Sequence, residues 1–354
     1  MTANNRTIWQ TPRAGNIARL SQKTEPLGSL AAGRIRVGVR AVGLNFADIF
    51  ALTGLYSATP SGAFIPGLEF AGTVLEAGAN TAGFSPGDRV MGVTRFGGYA
   101  SVIDSEPDYL IPLPHGWDFA RGAAWPAQTL TAWYALTRLG ALQSGQRVLI
   151  HSAAGGVGLQ AMKLVRALGA EPVGTVGSAD KVSLLGELGF DSVLVREKSF
   201  ARQLRREGLR FDLVLDGIGG AVQKASFDAL NPMGRLVVFG AAEFTPKGNR
   251  PNYLKAAWRY LRRPRYDAME MISSNRSLLA FNLIWLWEQK AQLKVLLTEL
   301  GEVPLSPPLV GHRFLFDDAH AALELLRSGR SVGKVVLDVP HQCEIRRGRI
   351  SVNG

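Results

Sequence analysis

The residues Ala153-Ala154-Gly155-Gly156-Val157-Gly158 are the stretch of this chain whose types and spacing point most directly to chemistry. A short apolar run beginning at Arg147 precedes them and reads as a buried strand. Val157 to Leu168 follows and reads as a helix, with Leu159, Met162, Val165, Ala167 and Leu168 on or near one apolar face. Glycines between a strand and a helix let backbone come close to a pyrophosphate at the helix N-terminus. The dinucleotide fingerprint is Gly-x-Gly-x-x-Gly, and Ala153 stands at its first position, so the turn by itself is a weak signature.

The surroundings strengthen it. Short apolar runs recur at Pro172 to Val176, Ser192 to Val195, Phe211 to Asp216 and Arg235 to Phe239. Helical patterns separate them at Asp180 to Leu188, Phe200 to Glu207 and Ala221 to Leu230. This alternation predicts an α/β fold with a doubly wound parallel sheet. The second strand also selects the nucleotide. An NAD-binding domain places an acid at its end to bond both ribose hydroxyls. Here that end is Gly177-Ser178, which leaves room and offers a hydroxyl, and the acid Asp180 falls past it in the first helical turn. The expected cofactor is NADPH.

Before this unit the texture differs. Ile35, Val37, Val39 and Ala41 alternate with Arg36, Gly38, Arg40 and Val42. Turn signals recur at Pro66-Gly67, Pro86-Gly87-Asp88 and Gly97-Gly98, and helical periodicity is nearly absent until Ala120. That is a β-barrel or sandwich pattern. After Pro304-Leu305-Ser306-Pro307-Pro308, a short helix from Asp317 to Leu326 and a strand from Lys334 to Val339 are expected. The layout read from this is a β-rich domain over residues 1–127 and a dinucleotide-binding domain over 128–284. The second domain carries a basic helical insertion at about 244–275. Residues 285–340 return to complete the first domain, and 341–354 form a polar tail.

At 354 residues, two domains are expected, and a hydrophobic fraction of 46% is ample for their cores. Cys343 is the single cysteine, so an intrachain disulfide and a multi-cysteine metal site are both excluded. His115, His312 and His320 lack metal-ligand spacing, and His151 is expected to be packed and hydrogen-bonded. Met1 to Arg13 is polar without a signal-peptide apolar stretch, and the run Leu278 to Trp287 is interrupted by Asn282 and too short to span a bilayer. A cytoplasmic location is expected.

The formal net charge of +11 is concentrated in Lys247, Arg250, Lys255, Arg259, Arg262, Arg263 and Arg265, with no acid before Asp267. Tyr253 to Leu261 predicts a helix with an apolar stripe of Leu254, Ala257, Trp258 and Leu261 beside the basic residues Lys255, Arg259 and Arg262. The segment Lys247 to Arg265 suits an anionic membrane surface, with peripheral association, or an acidic carrier protein. The alternative is a lid or interface helix with a solvated basic face. No nucleic-acid-binding module is recognised.

Several motifs together resemble the medium-chain dehydrogenase/reductase superfamily, in its zinc-free quinone oxidoreductase branch. They are Gly43-Leu44-Asn45-Phe46-Ala47-Asp48 with Gly54-Leu55-Tyr56, Pro66-Gly67-Leu68-Glu69-Phe70-Ala71-Gly72, Pro86-Gly87-Asp88-Arg89-Val90, Leu130-Thr131-Ala132, the glycine turn, and Val332-Gly333-Lys334-Val335-Val336. The resemblance runs from about Glu25 to Pro340. Phe244 to Ser274, Asn275-Arg276-Ser277 and Phe281-Asn282-Leu283 resemble homologues of the synaptic vesicle amine-transport protein. The resemblance implies a Rossmann domain inserted in a GroES-like β-barrel domain, an active site in the cleft between them, and a homodimer. It places the zinc ligands of the alcohol dehydrogenase branch at or near Asn45 and at Leu68, and the cysteine-rich lobe for structural zinc is missing, so no metal is expected. For the cofactor it implies Asn45, Thr131, Ala154, Gly155, Gly156, Val157, Gly158, Gly177, Ser178, Lys181, Arg196, Gly217, Ile218, Phe239, Gly240, Ala241, Phe281, Leu283 and Lys334. Lys181 matches a position that contacts the 2′-phosphate, and Arg196 one where a tyrosine often does so.

Hydride transfer to a carbonyl or activated alkene builds negative charge on oxygen, which zinc enzymes stabilise with the metal. Without one, hydrogen-bond donors or a cation must do so. A quinone or α,β-unsaturated carbonyl compound is then the better substrate, because its reduced product is delocalised and weakly basic. On the family motifs, the candidate donors are Asn45, Tyr56 and Lys334. Asp48 is expected to be structural, and Glu69 to be a structural carboxylate bonded to backbone. Two alternatives stand beside this reading: an enoyl reductase acting on an acyl chain carried by coenzyme A or a carrier protein, and an NADPH-binding membrane-surface protein with weak or no turnover.

Overall fold

The computed structural model describes residues 5–81 and 83–340; the tail after Pro340, with Cys343, lies outside the described residues. The chain opens with an antiparallel ribbon of β1 (Asn5–Gln10) and β2 (Ser21–Pro26). The alternating run that follows is β3 (Ile35–Gly43), with Ile35, Val37, Val39 and Ala41 buried. After it come α1 (Phe46–Thr53), β4 (Glu69–Ala77), β5 (Arg89–Val93), β6 (Val102–Ser105), β7 (Leu110–Pro112) and α2 (Phe119–Ala123). β3 pairs antiparallel with β4 along its length and with β6 over part of it, so Gly43 stands opposite Glu69. α1 is a helix within the stretch where helical periodicity is nearly absent. It is eight residues long, too short for helical periodicity to register, and is held by burial of Ile49, Ala51 and Leu52. Gly54 ends it in the left-handed conformation, φ +74°, as a helix C-terminus favours.

α3 (Pro126–Trp133) runs into a π-helical turn, Tyr134–Leu139. The predicted alternation then appears as β8 (Arg147–His151), α4 (Gly156–Ala167), β9 (Glu171–Val176), α5 (Asp180–Glu187), β10 (Val193–Val195), α6 (Phe200–Arg206), β11 (Phe211–Asp216), α7 (Gly220–Asp228) and β12 (Leu230–Val238). α8 (Tyr253–Leu261), α9 (Ala268–Ser274), β13 (Ser277–Ala280) and α10 (Lys290–Glu302) follow. The six strands are parallel in the order β10-β9-β8-β11-β12-β13. The order reverses direction between β8 and β11, the switch point outside which doubly wound sheets bind ligands. β12 begins earlier than the expected Arg235 and bulges: Leu230 pairs with Phe211, whereas Arg235 already pairs with Leu213.

β14 (Val310–Leu315), α11 (Ala319–Arg327) and β15 (Lys334–Asp338) follow, β15 pairing antiparallel with β3 in a sheet of seven strands among the described residues. Two compact units result. One takes the chain to Ala127, Pro246–Pro251 and the chain from Pro307; the other takes Gln128–Thr245 and Asn252–Ser306. The return to the first unit thus comes at Pro307, not at the expected residue 285. α10 belongs to the second unit because Leu293, Leu296 and Leu300 are buried and Glu299 accepts from Trp133 Nε1 (3.2 Å) and pairs with Arg138. Pro246–Pro251 joins the first unit, where the Asn249 carbonyl accepts from the Ile17 amide at 2.9 Å.

Candidate functional site

The second unit builds a glycine turn at the end of β8. Ser152 adopts a left-handed conformation, φ +54°, one residue before the position where the fingerprint expects its first glycine. That displacement is why Ala153 is tolerated there. The Ala153 amide donates to the Thr175 carbonyl (3.0 Å) and the Gly155 amide to the Ser152 carbonyl (2.8 Å). A side chain on Gly158 would put its Cβ 2.2 Å from the Ser152 carbonyl oxygen, and one on Gly156 2.2 Å from Gln128 Oε1. These glycines let α4 start tight against the turn and against α3, leaving its first amides and the positive end of its dipole at the turn.

The other nucleotide residues implied by the sequence collect along the same edge. Ala154 to Gly158 follow β8, Gly177, Ser178 and Lys181 follow β9, and Arg196 follows β10. Gly217 and Ile218 follow β11, Phe239, Gly240 and Ala241 follow β12, and Phe281 and Leu283 follow β13. Every set lies just beyond a carboxyl end of the parallel sheet. Thr131 lies on α3. Arg196 is held over the end of β9: its amide donates to the Val176 carbonyl (2.9 Å), Nη1 reaches Thr175 Oγ1 (3.3 Å), and a Cβ on Gly177 would lie 3.8 Å from Nη2. Burial lowers the pKa of both Lys181 and Arg196, and the Arg196 charge lowers that of Lys181 further. Two cations held near each other and partly desolvated suit an anion such as a 2′-phosphate.

Two carboxylates beside this edge escaped the sequence reading. Asp216 ends β11 and accepts from the amides of Ile218 (2.8 Å) and Gly219 (3.2 Å) and from Gln223 Nε2 (3.1 Å), which fixes the Gly217-Ile218 turn. Burial raises its pKa against those hydrogen bonds. Glu243 packs over Gly219 and Gly220, with its amide on the Ile218 carbonyl. An acid at a strand end is the only sequence signal for Asp216.

The first unit gathers a separate polar cluster where β3, α1, β4 and β15 meet. Asn45 opens α1. Its Oδ1 accepts from Lys334 Nζ at 3.0 Å, and its Nδ2 donates to Glu69 Oε1 at 3.0 Å. Lys334, 3% exposed, also pairs with Glu69, which is fully buried and takes the Ala127 amide on Oε2 at 2.9 Å. Glu69 therefore has the expected backbone bond and two side-chain partners besides. Lys334, expected as a donor to substrate, has its ammonium on Glu69 and Asn45. Burial lowers its pKa, opposed by the charges of Glu69 and Asp48. Asp48 accepts from the Asn45 amide (2.8 Å), Gly67 amide (3.2 Å) and Tyr99 hydroxyl (3.1 Å), and burial pushes its pKa up to about 7. Tyr56 sits in the loop after α1, packed at the margin of the first unit's core.

A divalent cation would meet the Lys334 ammonium at Glu69 and Asn45, an arrangement electrostatically hostile to metal binding. Among the described residues, no three His, Cys, Asp or Glu side chains are gathered as a metal site would need, and no helix is long and apolar enough to cross a membrane. α8 has the predicted span, with its apolar face outward: Leu254 is 86% exposed, and Trp258 and Leu261 are exposed too. Arg262 stacks over Trp258 at 4.5 Å, and Arg259 is drawn inward to the Glu243 carbonyl.

Two family models match: alcohol dehydrogenase GroES-like domain over residues 31–115, and zinc-binding dehydrogenase over residues 156–263. The synaptic vesicle membrane protein VAT-1 homolog of Danio rerio is 28% identical over 316 residues, 87% of this chain and 65% of that protein. The chain spans still less of the polyketide synthases it matches, between 6% and 18% of their length. The quinone oxidoreductase of Thermus thermophilus, whose structures include a complex with NADPH, is 29% identical with a TM-score of 0.77 over 94% of this chain and 99% of that one. CurK enoyl reductase is 27% identical with a TM-score of 0.78, over 95% and 99%.

Proposed function

Because the chain belongs to the medium-chain dehydrogenase/reductase superfamily, with a GroES-like unit and a Rossmann unit, we propose that it is an NADPH-dependent, zinc-independent reductase of quinones or α,β-unsaturated carbonyl compounds. The observation that carries the reading is the end of β9, where Gly177 and Ser178 replace the ribose-binding acid and Lys181 and Arg196 supply cations. The likeness to an oxidoreductase solved with NADPH supports it.

NADPH supplies the hydride when bound. The chain's own residues have two tasks. The turn from Ser152 to Gly158, with Lys181 and Arg196, holds the phosphates. Tyr56 stabilises charge on the reduced oxygen, and Asn45, whose Nδ2 donates to Glu69 Oε1 and the Gly43 carbonyl while its Oδ1 accepts from Lys334, holds the start of α1. Lys334 acts by positioning Asn45. The test is NADPH oxidation with a panel of benzoquinones, naphthoquinones and enones, before and after dialysis against a chelator. Turnover that survives chelation supports the reading. Turnover lost on chelation and restored by zinc, or none with any member of the panel, overturns it.

The likeness to an enoyl reductase supports a second reading, reduction of a 2-enoyl thioester carried by coenzyme A or a carrier protein. Thioesters turned over faster than every quinone would favour it. The outward apolar and basic face of α8 supports docking on an anionic surface, whether membrane or acidic carrier. NADPH binding and vesicle binding without turnover would instead mark a membrane-surface protein. A homodimer is proposed, with β13, one of the two edge strands of its sheet among the described residues, as the place where two copies can join.

A further inference from the structure

His151, at the end of β8, is buried, yet both its ring nitrogens are bonded: Nδ1 lies 2.8 Å from Thr175 Oγ1 and Nε2 2.7 Å from Ser226 Oγ. The neighbours decide which nitrogen carries the proton. The Ser226 hydroxyl already donates to the Val222 carbonyl at 2.8 Å, one helical turn back in α7, so toward His151 it accepts. Nε2 therefore bears the hydrogen, and Nδ1 offers a lone pair. Thr175 gives its one hydroxyl proton to Nδ1, and its oxygen is left to accept from Arg196 Nη1 at 3.3 Å. The opposite tautomer would draw the Ser226 proton from the Val222 carbonyl to Nε2 and leave the Thr175 hydroxyl proton facing two donors with no acceptor. One protonation pattern satisfies the whole line, and it ends on a cation beside Gly177.

We propose that Ser226, His151 and Thr175 form a buried, one-directional hydrogen-bond line that aims the Arg196 guanidinium at the 2′-phosphate, making Thr175 and His151 positioning residues for nucleotide selectivity. The inference rests on the NADPH reading above. Thr175 serves both halves of the nucleotide site. Its carbonyl holds the glycine turn through the Ala153 amide, and its hydroxyl holds Arg196. The line also needs a neutral imidazole, because a second ring N–H would turn Nδ1 from acceptor to donor. Burial, and then the Arg196 charge, lower the His151 pKa to about 3, so the acceptor persists at neutral pH.

The test is titration of NADPH and of NADH, followed by protein fluorescence or calorimetry, on the wild type and on Arg196→Met, Lys181→Gln, Thr175→Val and Thr175→Ser. Losing a hydrogen bond to a charged group weakens binding roughly 10- to 150-fold. Arg196→Met should lose NADPH affinity in that range and leave NADH within about twofold. Thr175→Val, isosteric and with its carbonyl intact, should shift the same ratio in the same direction by roughly 5- to 10-fold, since it misaims the bond without deleting it. Thr175→Ser should restore it. Nitrogen NMR of His151 should show the Nε2–H tautomer. If the wild type binds NADH as tightly as NADPH, the cofactor reading itself fails. If Arg196→Met collapses the preference and Thr175→Val keeps it, the cofactor reading stands and the line is overturned. It is equally overturned if only Lys181→Gln changes the preference, or if Thr175→Val weakens both nucleotides alike and Ser does not restore them.

Discussion

Lys334 and Glu69, 265 residues apart in sequence, meet inside the first unit as an ion pair sealed from water, with the Asn45 carboxamide bonded to both. β15 brings the lysine and β4 the glutamate, each paired to β3, the strand that leads into Asn45. Gly43 makes the approach feasible, since a Cβ there would lie 2.1 Å from the Ala123 carbonyl oxygen.

Removing one member of such a pair leaves a buried charge alone, which costs about 3–5 kcal/mol, whereas removing both costs far less. Lys334→Met should therefore destabilise the protein by about that amount in urea unfolding. Lys334→Met combined with Glu69→Gln should recover most of the loss. A double variant that loses the sum of the losses of Lys334→Met and Glu69→Gln would show that the pair has no coupling.

The pair and the Gly43 carbonyl take both N–H groups of the Asn45 carboxamide, so of the three donors expected from the sequence Tyr56 is the one tested by turnover. Removing one oxyanion donor costs about 2.7–4 kcal/mol in the transition state. Tyr56→Phe should lower kcat on a quinone or enone by a factor on the order of 100 and leave NADPH affinity unchanged. Wild-type turnover from Tyr56→Phe would remove Tyr56 from the mechanism.

The nucleotide edge is legible in the sequence because its signals are local. The glycine turn, the missing acid after β9 and the span of α8 each depend on neighbours within a few residues. What escapes depends on distance or on conformation. The partners of Lys334 come from strands far apart in the chain. α1 is too short to show a period. The left-handed residue of the turn is Ser152, which no fingerprint marks. The roles of Thr175 and Ser226 emerge only once β9 and α7 are packed around His151.

α8 offers a surface test. A basic residue near an anionic membrane contributes roughly 1 kcal/mol. The structure divides the three cations: Lys255 and Arg262 are exposed, while Arg259 is turned to the Glu243 carbonyl. Lys255→Gln with Arg262→Gln should abolish most salt-sensitive flotation with phosphatidylserine vesicles, and Arg259→Gln alone should change it little. No flotation of the wild type at low salt would favour a lid or interface helix.

His151 gives a pH dependence of stability with a definite sign. Its pKa is lowered by burial to about 3 in the folded chain, against about 6.5 when unfolded. Between those values the unfolded chain binds the proton and the folded chain does not, so acid favours unfolding. The contribution is fully present above the unfolded pKa and is lost progressively as pH falls from there toward the folded one. Each pH step of one below the unfolded pKa removes about 1.4 kcal/mol, so His151 alone should cost about 2 kcal/mol of stability between about pH 7.5 and about pH 5. His151→Gln lacks the titrating group. The difference in unfolding free energy between the wild type and this variant should change by that amount across the interval, measured by urea denaturation at each pH. A difference that stays constant across it would mean that the imidazole is not held neutral in the folded protein, and the single-tautomer line through Thr175 to Arg196 would lose its acceptor.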